Sequence, residues 1–323
     1  MVSIVIPNYN GKHFLEKCLD SIENQSYKDI ETIIIDNASD DGSVDFLRDR
    51  YPKVKLTIMD TNTGFSGAVN EGIKSSRGEF VFLLNNDTEI DESCVENLVN
   101  AINKDNKIFS VNAKMIQFNN RDLLDDAGDE YNSFGWAFKR GFNQNIGTNK
   151  VPRRVFSCCA GASLYRKEVF NHIGYFDELF FAYLEDVDIG FRANCYGYKN
   201  YFCPDAIVYH IISGTTGNKK TEFKTKLSAR NNVYLLYKNL PLLLILINLP
   251  FLIIGALIKS VFFSKHGLGK NYLKESMYAL KDLRKLNKVD FKIPHMKNYL
   301  WIQFKLIINV PVFILERIKI LLT

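Results

Sequence analysis

Short runs of aliphatic and β-branched residues alternate with segments of helical periodicity over residues 1–115. This alternation predicts a parallel sheet with helices on both faces. The four clearest strands read VSIVIP, IETIIID, VKLTIMD and EFVFLLN. Helices are predicted at residues 12–24, 43–50, 65–76 and 92–103, the second of them with Ser43 as its N-cap.

The hydrophobic pattern is lost at residues 117–150, which are polar with scattered aromatic residues and glycines. A long segment of this kind inside a compact domain predicts a binding loop or lid. Regular structure is predicted again from a strand-like run at 155–165, which is followed by a short helix at 167–173 and longer helices at 185–196 and 224–238.

Polar residues follow each of the four predicted strands at its carboxyl end. They are Asn8 after the first, Asp36 and Asn37 after the second, residues 60–62 after the third and residues 85–87 after the fourth. In open α/β sheets, ligands bind outside the carboxyl ends of the strands, which predicts one shared crevice. Asn and Asp also form turns, so each group alone has a second explanation.

Two aspartates in this crevice are candidates for nucleotide and metal binding. Asp36 can accept a hydrogen bond from an N–H group of a pyrimidine base, although an Asx turn that caps the next helix is the competing interpretation. Asp87 follows a wholly apolar strand. It can bring one carboxylate to Mg²⁺ or Mn²⁺, because such hard ions bind one or two carboxylates together with substrate phosphates. Helix capping is the alternative role for Asp87.

Three carboxylates, Glu185, Asp186 and Asp188, lie in the first turn of a predicted helix, where the helix dipole favours negative charge. The dipole alone can account for them. However, the preceding run GYFDELFFAYL is aromatic and can exclude water from a carboxylate that acts as a general base. Asp186 is therefore the candidate base, with Glu185 and Asp188 in supporting or acceptor-binding roles.

His210 ends a strand-like segment and precedes a glycine-rich turn. A lone histidine is commonly a hydrogen-bonded core residue, and contact with a metal or a diphosphate is the second interpretation. The first predicted strand is not followed by a Gly-x-Gly-x-x-Gly sequence. This argues against a dinucleotide-binding oxidoreductase.

Basic residues are concentrated in the C-terminal region. Of the 41 Lys and Arg and the 36 Asp and Glu, 16 and 4 lie in residues 226–323, which leaves 25 and 32 in residues 1–225. Two apolar runs, 242–258 and 299–322, lie in the same region. This composition predicts a catalytic domain at 1–225 and a helical, membrane-associated region at 226–323 that binds an anionic lipid surface and no nucleic acid.

The first apolar run is at the short limit of a membrane span and is interrupted by Asn248 and Pro250. Crossing the bilayer, re-entering it, lying in its plane and forming a buried soluble helix all stay open. The six cysteines include no Cys-x-x-Cys pair, so reduced thiols are expected. Met1 leads directly into an apolar strand, which predicts no signal peptide and a location at the cytoplasmic face of a membrane.

Six strings, in this order, give the chain a resemblance to a known family: SIVIPNYNG, IIIDNASDDGS, NTGFSGAVNEGI, FVFLLNNDTEI, CAGASLYRKEVFNHIGYFDELFFAYLEDVDIGFRANCYGYK and VYH. They resemble the inverting glycosyltransferases of family 2, especially the rhamnosyltransferase-like members, and they cover most of residues 2–210. The resemblance implies the GT-A fold, a Rossmann-like, mostly parallel sheet flanked by helices, here with the C-terminal helical appendage.

The resemblance also implies roles for individual residues. Asp186 is the implied catalytic base, and Asp87 and His210 are the implied contacts of a metal, Mg²⁺ or Mn²⁺, with its diphosphate. Asn85 stands where the family carries the first carboxylate of its Asp-x-Asp motif. The implied substrate-binding residues are Pro7, Asn8, Asp36, Asn62, Gly67, Asn70, Asn85, Asn86, Gly161, Ala162, Glu185 and Asp188.

What the resemblance implies about function is transfer of a sugar with inversion at its anomeric carbon. The expected donor is a nucleotide-diphosphate sugar, UDP- or dTDP-linked, with dTDP-rhamnose as one candidate. The expected acceptor is a glycan or a lipid-linked glycan in cell-envelope polysaccharide synthesis. Since one metal carboxylate is missing at Asn85, a catalytically inactive, membrane-bound sugar-binding scaffold is the alternative.

Overall fold

A mixed ten-stranded β-sheet forms the centre of the protein, as seen in a computed structural model that describes residues 1–211 and 221–322. Two further strands form a separate hairpin. The strands of the sheet are β1 (Val2–Asn8), β2 (Ile30–Asp36), β3 (Lys55–Ile58), β4 (Phe80–Leu84), β5 (Thr88–Ile90), β6 (Ile108–Gln117), β7 (Leu124–Asp126), β10 (Arg153–Val155), β11 (Ala162–Arg166) and β12 (Lys199–His210), and those of the hairpin are β8 (Asp129–Asn132) and β9 (Trp136–Lys139).

Helices cover the sheet and make up most of the C-terminal region. Within the described ranges they are α1 (Lys12–Glu23), α2 (Ser43–Arg50), α3 (Gly64–Ser75), α4 (Cys94–Ile102), α5 (Phe170–Ile173), α6 (Glu185–Cys195), α7 (Glu222–Asn239), α8 (Leu242–Ser264), α9 (Gly269–Asp282) and α10 (Met296–Leu322).

The sheet places the four predicted strands side by side. Along its main path the order is β10-β12-β6-β11-β4-β1-β2-β3, with β5 paired to β12 and β7 to β6. Strands β4, β1, β2 and β3 are parallel neighbours, and β6 is parallel to β12. Four of the seven pairings on this path are therefore parallel, which confirms the predicted mostly parallel α/β sheet.

Apolar residues of the sheet are buried on both faces. On β4, Phe82 and Leu84 pack into the core beneath α1 and α4, whereas Val81 and Leu83 pack into the core beneath α3, α5 and α6. Each fully buried Val, Leu or Phe stabilises the fold by about 1.5–3 kcal/mol relative to an exposed one. Burial on both faces explains why these parallel strands read as continuous apolar runs.

The predicted elements of residues 1–115 are confirmed, with small shifts at their ends. Helix α2 begins at Ser43, but the prediction that Ser43 is its N-cap is wrong. Gly42, with a φ of 80°, precedes the helix, and Ser43 is its first residue. The Asp41 carboxylate accepts the Ser43 N–H at 3.0 Å. Asp41 thus supplies the kind of oxygen that an N-cap side chain offers to the first turn.

Residues 117–150 differ from their prediction as a binding loop or lid. They contain β7, β8 and β9, and every residue from 124 to 133 is buried. The ring of Tyr131 packs against the rings of Phe156 and Phe191, with centroids 5.8 and 6.0 Å away. Much of the segment therefore belongs to the core, and four of its acidic residues lie inside the protein: Asp125, Asp126, Asp129 and Glu130.

Helix α7 crosses residue 225, the predicted domain boundary, and that boundary stays a prediction. Tyr234 of α7 and Ile302 and Leu306 of α10 share one apolar core with Tyr131 and Phe156. The C-terminal helices therefore pack directly onto the sheet domain.

Two helical stretches, Leu242–Ser264 and Ile293–Ile320, are long and apolar enough to cross a membrane by length and composition alone. Only 11% and 22% of their most apolar windows are buried. Helix α8 continues through Pro250, and α10 continues through Pro311. The C-terminal region is thus helical and apolar enough for association with a membrane, as predicted.

Candidate active site

Side chains at the carboxyl ends of three neighbouring strands are joined by hydrogen bonds. The Asn8 amide at the end of β1 donates to Asp36 Oδ2 at the end of β2 (2.8 Å). Asn8 Oδ1 accepts from the Asn86 amide, just after β4, at 2.7 Å. A Cβ on Gly11 would lie 2.1 Å from Asn86 Nδ2, so only glycine fits beside this chain of bonds. The predicted convergence of the strand ends is confirmed.

The side chain of Asp36 has no exposed surface. Its Oδ1 accepts the Ser39 N–H at 2.9 Å, and its Oδ2 is bonded to Asn8. Both oxygens therefore hold the loop after β2 and the Asn8 side chain. In this arrangement Asp36 supports the residues around it, and its contact with a nucleotide base stays a prediction.

The loop after β3 is fastened to the loop after β2. The Asn37 amide donates to Asn62 Oδ1 and to the Gly64 carbonyl, each at 3.0 Å. Asn62 itself is exposed, and Pro7 on β1 is half-buried, so both can face a ligand at this edge. These two residues stay predicted substrate contacts.

Two residues of α3, Gly67 and Asn70, make close contacts inside the protein. Gly67 is buried, and a Cβ at this position would lie 2.5 Å from Thr63 Oγ1. The Asn70 side chain donates to the Phe176 carbonyl at 2.8 Å and accepts the Phe176 N–H at 3.0 Å. Asn70 thus anchors the segment that leads to α6, and a substrate contact at these two positions stays a prediction.

Asp87 and His210 face each other across the pairing of β5 with the end of β12. His210 Nε2 lies 3.4 Å from Asp87 Oδ1, and His210 Nδ1 lies 2.8 Å from Asp125 Oδ2. Asp125 also pairs with Lys139 at 3.0 Å. Burial lowers the pKa of His210, but hydrogen bonds and charges from Asp125 and Asp87 outweigh it and raise the pKa to about 9. A charged relay therefore runs from Lys139 to Asp87.

The Asp87–His210 pair fits a divalent cation, which would take the place of the proton on His210 Nε2. Within the described part of the chain, buried Asp87 Oδ1 has no polar contact closer than its 3.4 Å approach to His210 Nε2, which leaves this oxygen available for a ligand. A histidine that donates its other ring N–H to a carboxylate, as His210 can to Asp125, is the usual arrangement of a metal-bound histidine. The ion's other positions would be left to phosphate oxygens and water, because Asn85 is uncharged.

The candidate base lies next to this pair along the sheet edge. The Ala160 N–H donates to Asp186 Oδ2 at 3.3 Å, and the Val187 N–H donates to Asp186 Oδ1 at 2.8 Å. The next residue, Gly161, accepts the Asn85 N–H at 2.9 Å, two positions before Asp87. Burial raises the pKa of Asp186 despite these hydrogen bonds. Asp87 and Asp186 thus lie on, or bind to, segments that are hydrogen-bonded to each other.

Several acidic residues near Asp186 could not be predicted as site residues from the sequence, because they lie in the segment that was predicted as a lid. Ligand atoms of Asp129, Cys159 and Asp186 lie within 4.8 Å of one another. Burial, together with the charges of Asp126 and Asp186, raises the pKa of Asp129 well above its usual range. Cys159 is a free thiol, as are the other cysteines. The aspartates of the string LDDAGDEY were the only signal, and their burial is not visible in the sequence.

Asp126 forms the floor of the same cluster. Its Oδ1 accepts from the Asn112 amide at 2.9 Å and from the Gly128 N–H at 2.7 Å, whereas its Oδ2 is buried without a partner. Burial raises the pKa of Asp126 to about 6, in spite of the nearby Lys139. A proton on Oδ2 would remove the unpaired charge.

Two predicted substrate-binding positions, Asp188 and Ala162, are buried, and their substrate contacts stay predictions. Asp188 has no exposed surface, and its carboxylate is bound by Arg192 (2.9 Å), Lys238 (3.0 Å) and Asn239 (2.7 Å). It has no free oxygen for an acceptor. Ala162 is fully buried on β11 within the apolar core.

Glu185 differs from Asp188 because its carboxylate is not fully paired. It is 6% exposed, and its Oε2 has no hydrogen-bond partner. Burial, together with the neighbouring Asp186, raises its pKa well above the usual range. Glu185 remains a predicted acceptor contact.

The backbone that leads into α6 is strained. Phe181, Tyr183 and Leu184 have φ values of 63°, 69° and 68°. Non-glycine residues in such regions each cost on the order of 1–3 kcal/mol and are concentrated at functional sites. The strain lies directly before Glu185 and Asp186.

A cavity of about 270 Å³ lies apart from these residues, beside β12 and α4. Asn97, Lys104, Asp105 and Tyr201 are among the residues that line it, and none of the predicted site residues does. The cavity is therefore separate from the strand-end cluster. The glycine-rich turn after His210 falls within residues 212–220, outside the described residues.

The chain is similar to known proteins in sequence and in fold. The family model for glycosyl transferase family 2 matches residues 3–174. The poly-beta-1,6-N-acetyl-D-glucosamine synthase of Staphylococcus epidermidis is 25% identical over 219 residues, which are 67% of this chain and 51% of that protein. The chain thus spans about half the length of this relative.

Two solved structures share the GT-A fold with this chain. GalNAc-T7 with UDP, GalNAc and Mn²⁺ superposes with a TM-score of 0.62 at 19% identity, covering 74% of this chain and 48% of that one. The TarS 1–349 fragment of S. aureus in complex with UDP-GlcNAc superposes with a TM-score of 0.55 at 17% identity, covering 87% and 80%. At these identities the likeness concerns the fold.

Proposed function

Because this chain belongs to glycosyl transferase family 2, we propose that it transfers a sugar from a nucleoside diphosphate to a hydroxyl group of an acceptor. One observation carries the proposal. The Asp87–His210 pair and the Asp186 carboxylate lie on adjacent segments, which are joined by the hydrogen bonds of Asn85 to Gly161 and of Ala160 to Asp186. A cation site beside a carboxylate that can take a proton meets the needs of this reaction.

The proposed donor is a UDP- or dTDP-sugar. A UDP-sugar is supported by the name of the staphylococcal relative, an N-acetyl-D-glucosamine polymer synthase, and by the UDP-GlcNAc bound to TarS. The resemblance of the motifs to rhamnosyltransferase-like enzymes keeps dTDP-rhamnose as the other candidate. The proposed donor contacts at the strand ends are Pro7, Asn8, Asn62, Asn85, Asn86 and Gly161.

Asp87 and His210 are the proposed ligands of Mn²⁺ or Mg²⁺. When bound, such an ion neutralises the negative charge of the departing diphosphate. GalNAc-T7, which shares the fold, contains Mn²⁺ with UDP. Asp125 holds His210 with Nε2 towards Asp87 by bonding to Nδ1, so it positions the ligand without touching the ion.

Asp186 is the proposed general base. The acceptor oxygen attacks the anomeric carbon while its proton passes to Asp186, and the bond from that carbon to the diphosphate oxygen breaks on the opposite face. This single displacement inverts the sugar and needs no covalent sugar–enzyme intermediate. The Ala160 and Val187 N–H groups that donate to the Asp186 carboxylate fix its orientation. Burial raises the pKa of Asp186, which makes the carboxylate a stronger base.

The proposed acceptor is a glycan or lipid-linked glycan of the cell envelope, reached at the cytoplasmic face of a membrane. Support comes from the exposed apolar helices α8 and α10 and from the basic C-terminal region. We expect the protein to pellet with membranes and to need high salt, alkali or detergent for release. Recovery in the soluble fraction without these treatments would contradict the location.

A donor screen followed by two substitutions tests the proposal. UDP-GlcNAc, UDP-GalNAc, GDP-mannose and dTDP-rhamnose are added with Mn²⁺, and the melting temperature and the release of free nucleotide are measured. We expect one donor class to stabilise the protein and to be consumed. Asp186→Asn should keep the donor-induced stabilisation and lose at least about 1,000-fold in turnover, because the base is absent.

Asp87→Ala should lose the stimulation by Mn²⁺ together with turnover. Asp49→Asn, at an exposed position on α2, is the matched control and should behave like the unchanged protein. Near-normal turnover of Asp186→Asn, or Mn²⁺-stimulated turnover of Asp87→Ala, would remove the corresponding role. Donor binding without turnover in the unchanged protein would favour the inactive sugar-binding scaffold.

A further inference from the structure

The segment before α6 has a backbone shape that few residues adopt. Phe181 has φ of 63° and ψ of −62°, and the Ala182 N–H donates to the Phe180 carbonyl at 2.7 Å. These values describe a γ-turn of the rare, strained kind. Tyr183 and Leu184 follow in the left-handed region, and Glu185 is the first residue of α6. Relaxation of this loop would therefore move the first turn of α6, which carries Asp186.

One side chain of α7 binds three carbonyl groups of this loop. Asn231 has no exposed surface. Its amide donates to the carbonyl oxygens of Phe180 at 2.9 Å, Ala182 at 2.9 Å and Tyr183 at 2.8 Å. Three carbonyls within a stretch of four residues can converge on one NH₂ group only if the chain turns as sharply as it does here. The bonds are lost if the loop relaxes.

Neighbouring contacts fix the same loop from two sides. Arg230 donates to the Leu179 carbonyl at 3.2 Å, on the α7 side. On the α3 side, the Ser66 N–H donates to the Phe181 carbonyl at 3.2 Å. A Cβ on Gly64 would lie 2.5 Å from that carbonyl oxygen, so glycine is required for the close approach.

We propose that Asn231 is a positioning residue that holds residues 180–184 in their strained shape and thereby places Asp186 for catalysis. The inference rests on the proposed role of Asp186 as the base. Asn231 acts through the backbone and touches no substrate. Helix α7 of the C-terminal region thus completes the active site of the sheet domain.

The test compares Asn231→Ala with Asn298→Ala in the full-length protein. The Asn298 amide donates to a single carbonyl, that of Cys195 at the other end of α6 (2.9 Å), which makes it a matched control. Amide hydrogen exchange is followed on peptides that cover residues 180–190. Turnover is measured with Mn²⁺ and whichever of UDP-GlcNAc, UDP-GalNAc, GDP-mannose and dTDP-rhamnose the unchanged protein consumes.

For Asn231→Ala we expect exchange at residues 182–188 to be faster by about 10-fold or more. We expect kcat to fall about 100-fold, because a displacement of about 1 Å at a catalytic group has that effect. The KM for the donor should stay within about 3-fold, since donor contacts lie on other segments. Asn298→Ala should match the unchanged protein in local exchange and in kcat.

A second substitution separates positioning from general stability. Asparagine tolerates the left-handed region better than leucine does. Leu184→Asn added to Asn231→Ala should therefore restore kcat by about 5-fold or more and slow the local exchange again. Wild-type exchange and kcat in Asn231→Ala would overturn the inference, as would faster exchange spread evenly over the chain without rescue. If the unchanged protein consumes no donor, the proposed function fails, whereas the exchange data still decide whether Asn231 holds the loop.

Discussion

His210 has a carboxylate on each side of its ring, and the two carboxylates have different surroundings. Asp125 is fully buried and paired with Lys139, and Lys139 and His210 outweigh the effect of burial and hold the pKa of Asp125 at about 2. Asp87 keeps one oxygen without a hydrogen bond. Asp125 is therefore suited to orient the imidazole, and Asp87 is suited to bind a metal ion beside the imidazole.

Asp125→Asn tests this division of roles. We expect the affinity for Mn²⁺ to fall by about 10–100-fold, the usual effect of removing a carboxylate behind a metal-bound histidine. Binding of UDP without metal should change little. Mn²⁺ titrations by calorimetry, with and without UDP, provide the measurement, and the exposed Asp122→Asn nearby on the chain is the control. Unchanged Mn²⁺ affinity in Asp125→Asn would contradict the positioning role.

The raised pKa of Asp126 leads to a separate prediction about how the stability of the protein depends on pH. Its pKa of about 6 in the folded protein is raised above the value of about 3.9 for an unfolded chain. The folded state therefore binds the proton more tightly, and this contribution to stability is complete below pH ~4 and is lost as the pH rises through ~6. For a fully buried group the loss is on the order of 3 kcal/mol.

Asp126→Asn imitates the protonated carboxyl group and should remove this pH dependence. Relative to the unchanged protein, we expect its free energy of unfolding to be similar at pH 4 and higher by about 2–3 kcal/mol at pH 7. Urea unfolding with EDTA at both pH values gives the difference. A gap that does not change with pH would show that folding does not raise the pKa of Asp126.

Some residues of the site could be predicted because each ends or begins an element whose apolar pattern is visible in the sequence. Asp87, Asp186 and His210 are of this kind. Asp125, Asp126 and Asp129 could not be predicted in this way, because a run of polar and charged residues in a sequence indicates an exposed segment. Their burial depends on β12 and on α10, which lie far along the chain.

At the scale of elements, α6 and α7 are joined by a buried charged network. Asp188 of α6 binds Arg192 of its own helix and Lys238 and Asn239 of α7, and Lys238 also pairs with Asp177 at 2.6 Å. Breaking one partner of a buried network leaves the others uncompensated. The network therefore fixes the helix that carries Asp186 to the helix that carries Asn231.

Asp188→Asn distinguishes this structural role from the predicted contact with an acceptor. We expect the free energy of unfolding to fall by about 3–5 kcal/mol, with the acceptor KM unchanged in the protein that remains folded. Thermal unfolding and initial rates at several acceptor concentrations are the measurements. A raised acceptor KM at an unchanged melting temperature would restore the binding role.

The order of strands and helices could be predicted over residues 1–115 because runs of five to twelve residues show their apolar period clearly. Strands β7, β8 and β9 contain three or four residues each, too few for an alternation to be recognised. Their formation depends on pairing with β6 and with each other. Segments of this length therefore read as loop in the sequence.

At the scale of the whole molecule, α10 is attached to the sheet domain along its middle. The Leu306 carbonyl accepts the Ser133 N–H at 2.9 Å. Asn309 donates to Glu130 at 2.8 Å, and Glu316 accepts the Gly141 N–H at 2.9 Å. A helix that crossed a bilayer would lose these bonds, and each lost buried bond costs about 1–3 kcal/mol.

Helix α8 is tied to α10 by a reciprocal pair of amides. Asn248 donates to Gln303 at 2.7 Å, and Gln303 donates to Asn248 at 3.1 Å. Apolar side chains on the outer surface of α8 remain exposed. Eight exposed basic residues lie between the two helices in sequence, and they are Lys265, Lys270, Lys274, Lys281, Arg284, Lys285, Lys288 and Lys292. An anionic membrane that receives α8 and α10 in its plane would leave every internal bond intact.

Leu246→Glu with Leu257→Glu tests the membrane attachment. These residues are 55% and 58% exposed on one side of α8, because eleven residues make about three turns. We expect flotation with vesicles that contain anionic lipid to fall by about 10-fold or more, while the melting temperature stays unchanged. Ile58→Glu with Val151→Glu, also exposed apolar positions, is the control and should float normally.

Labelling of the two ends of α8 tests whether it lies in the plane of the membrane. Single cysteines at Leu242 and Ser264 are exposed to a membrane-impermeant maleimide in sealed, oriented vesicles from cells that make the protein. An in-plane helix keeps both ends on one side, so both should react from the cytoplasmic face and neither from the other. Reaction of the two positions from opposite faces would mean that α8 crosses the bilayer, and the bonds that join α8 to α10 and α10 to the sheet domain would then have to break in the membrane.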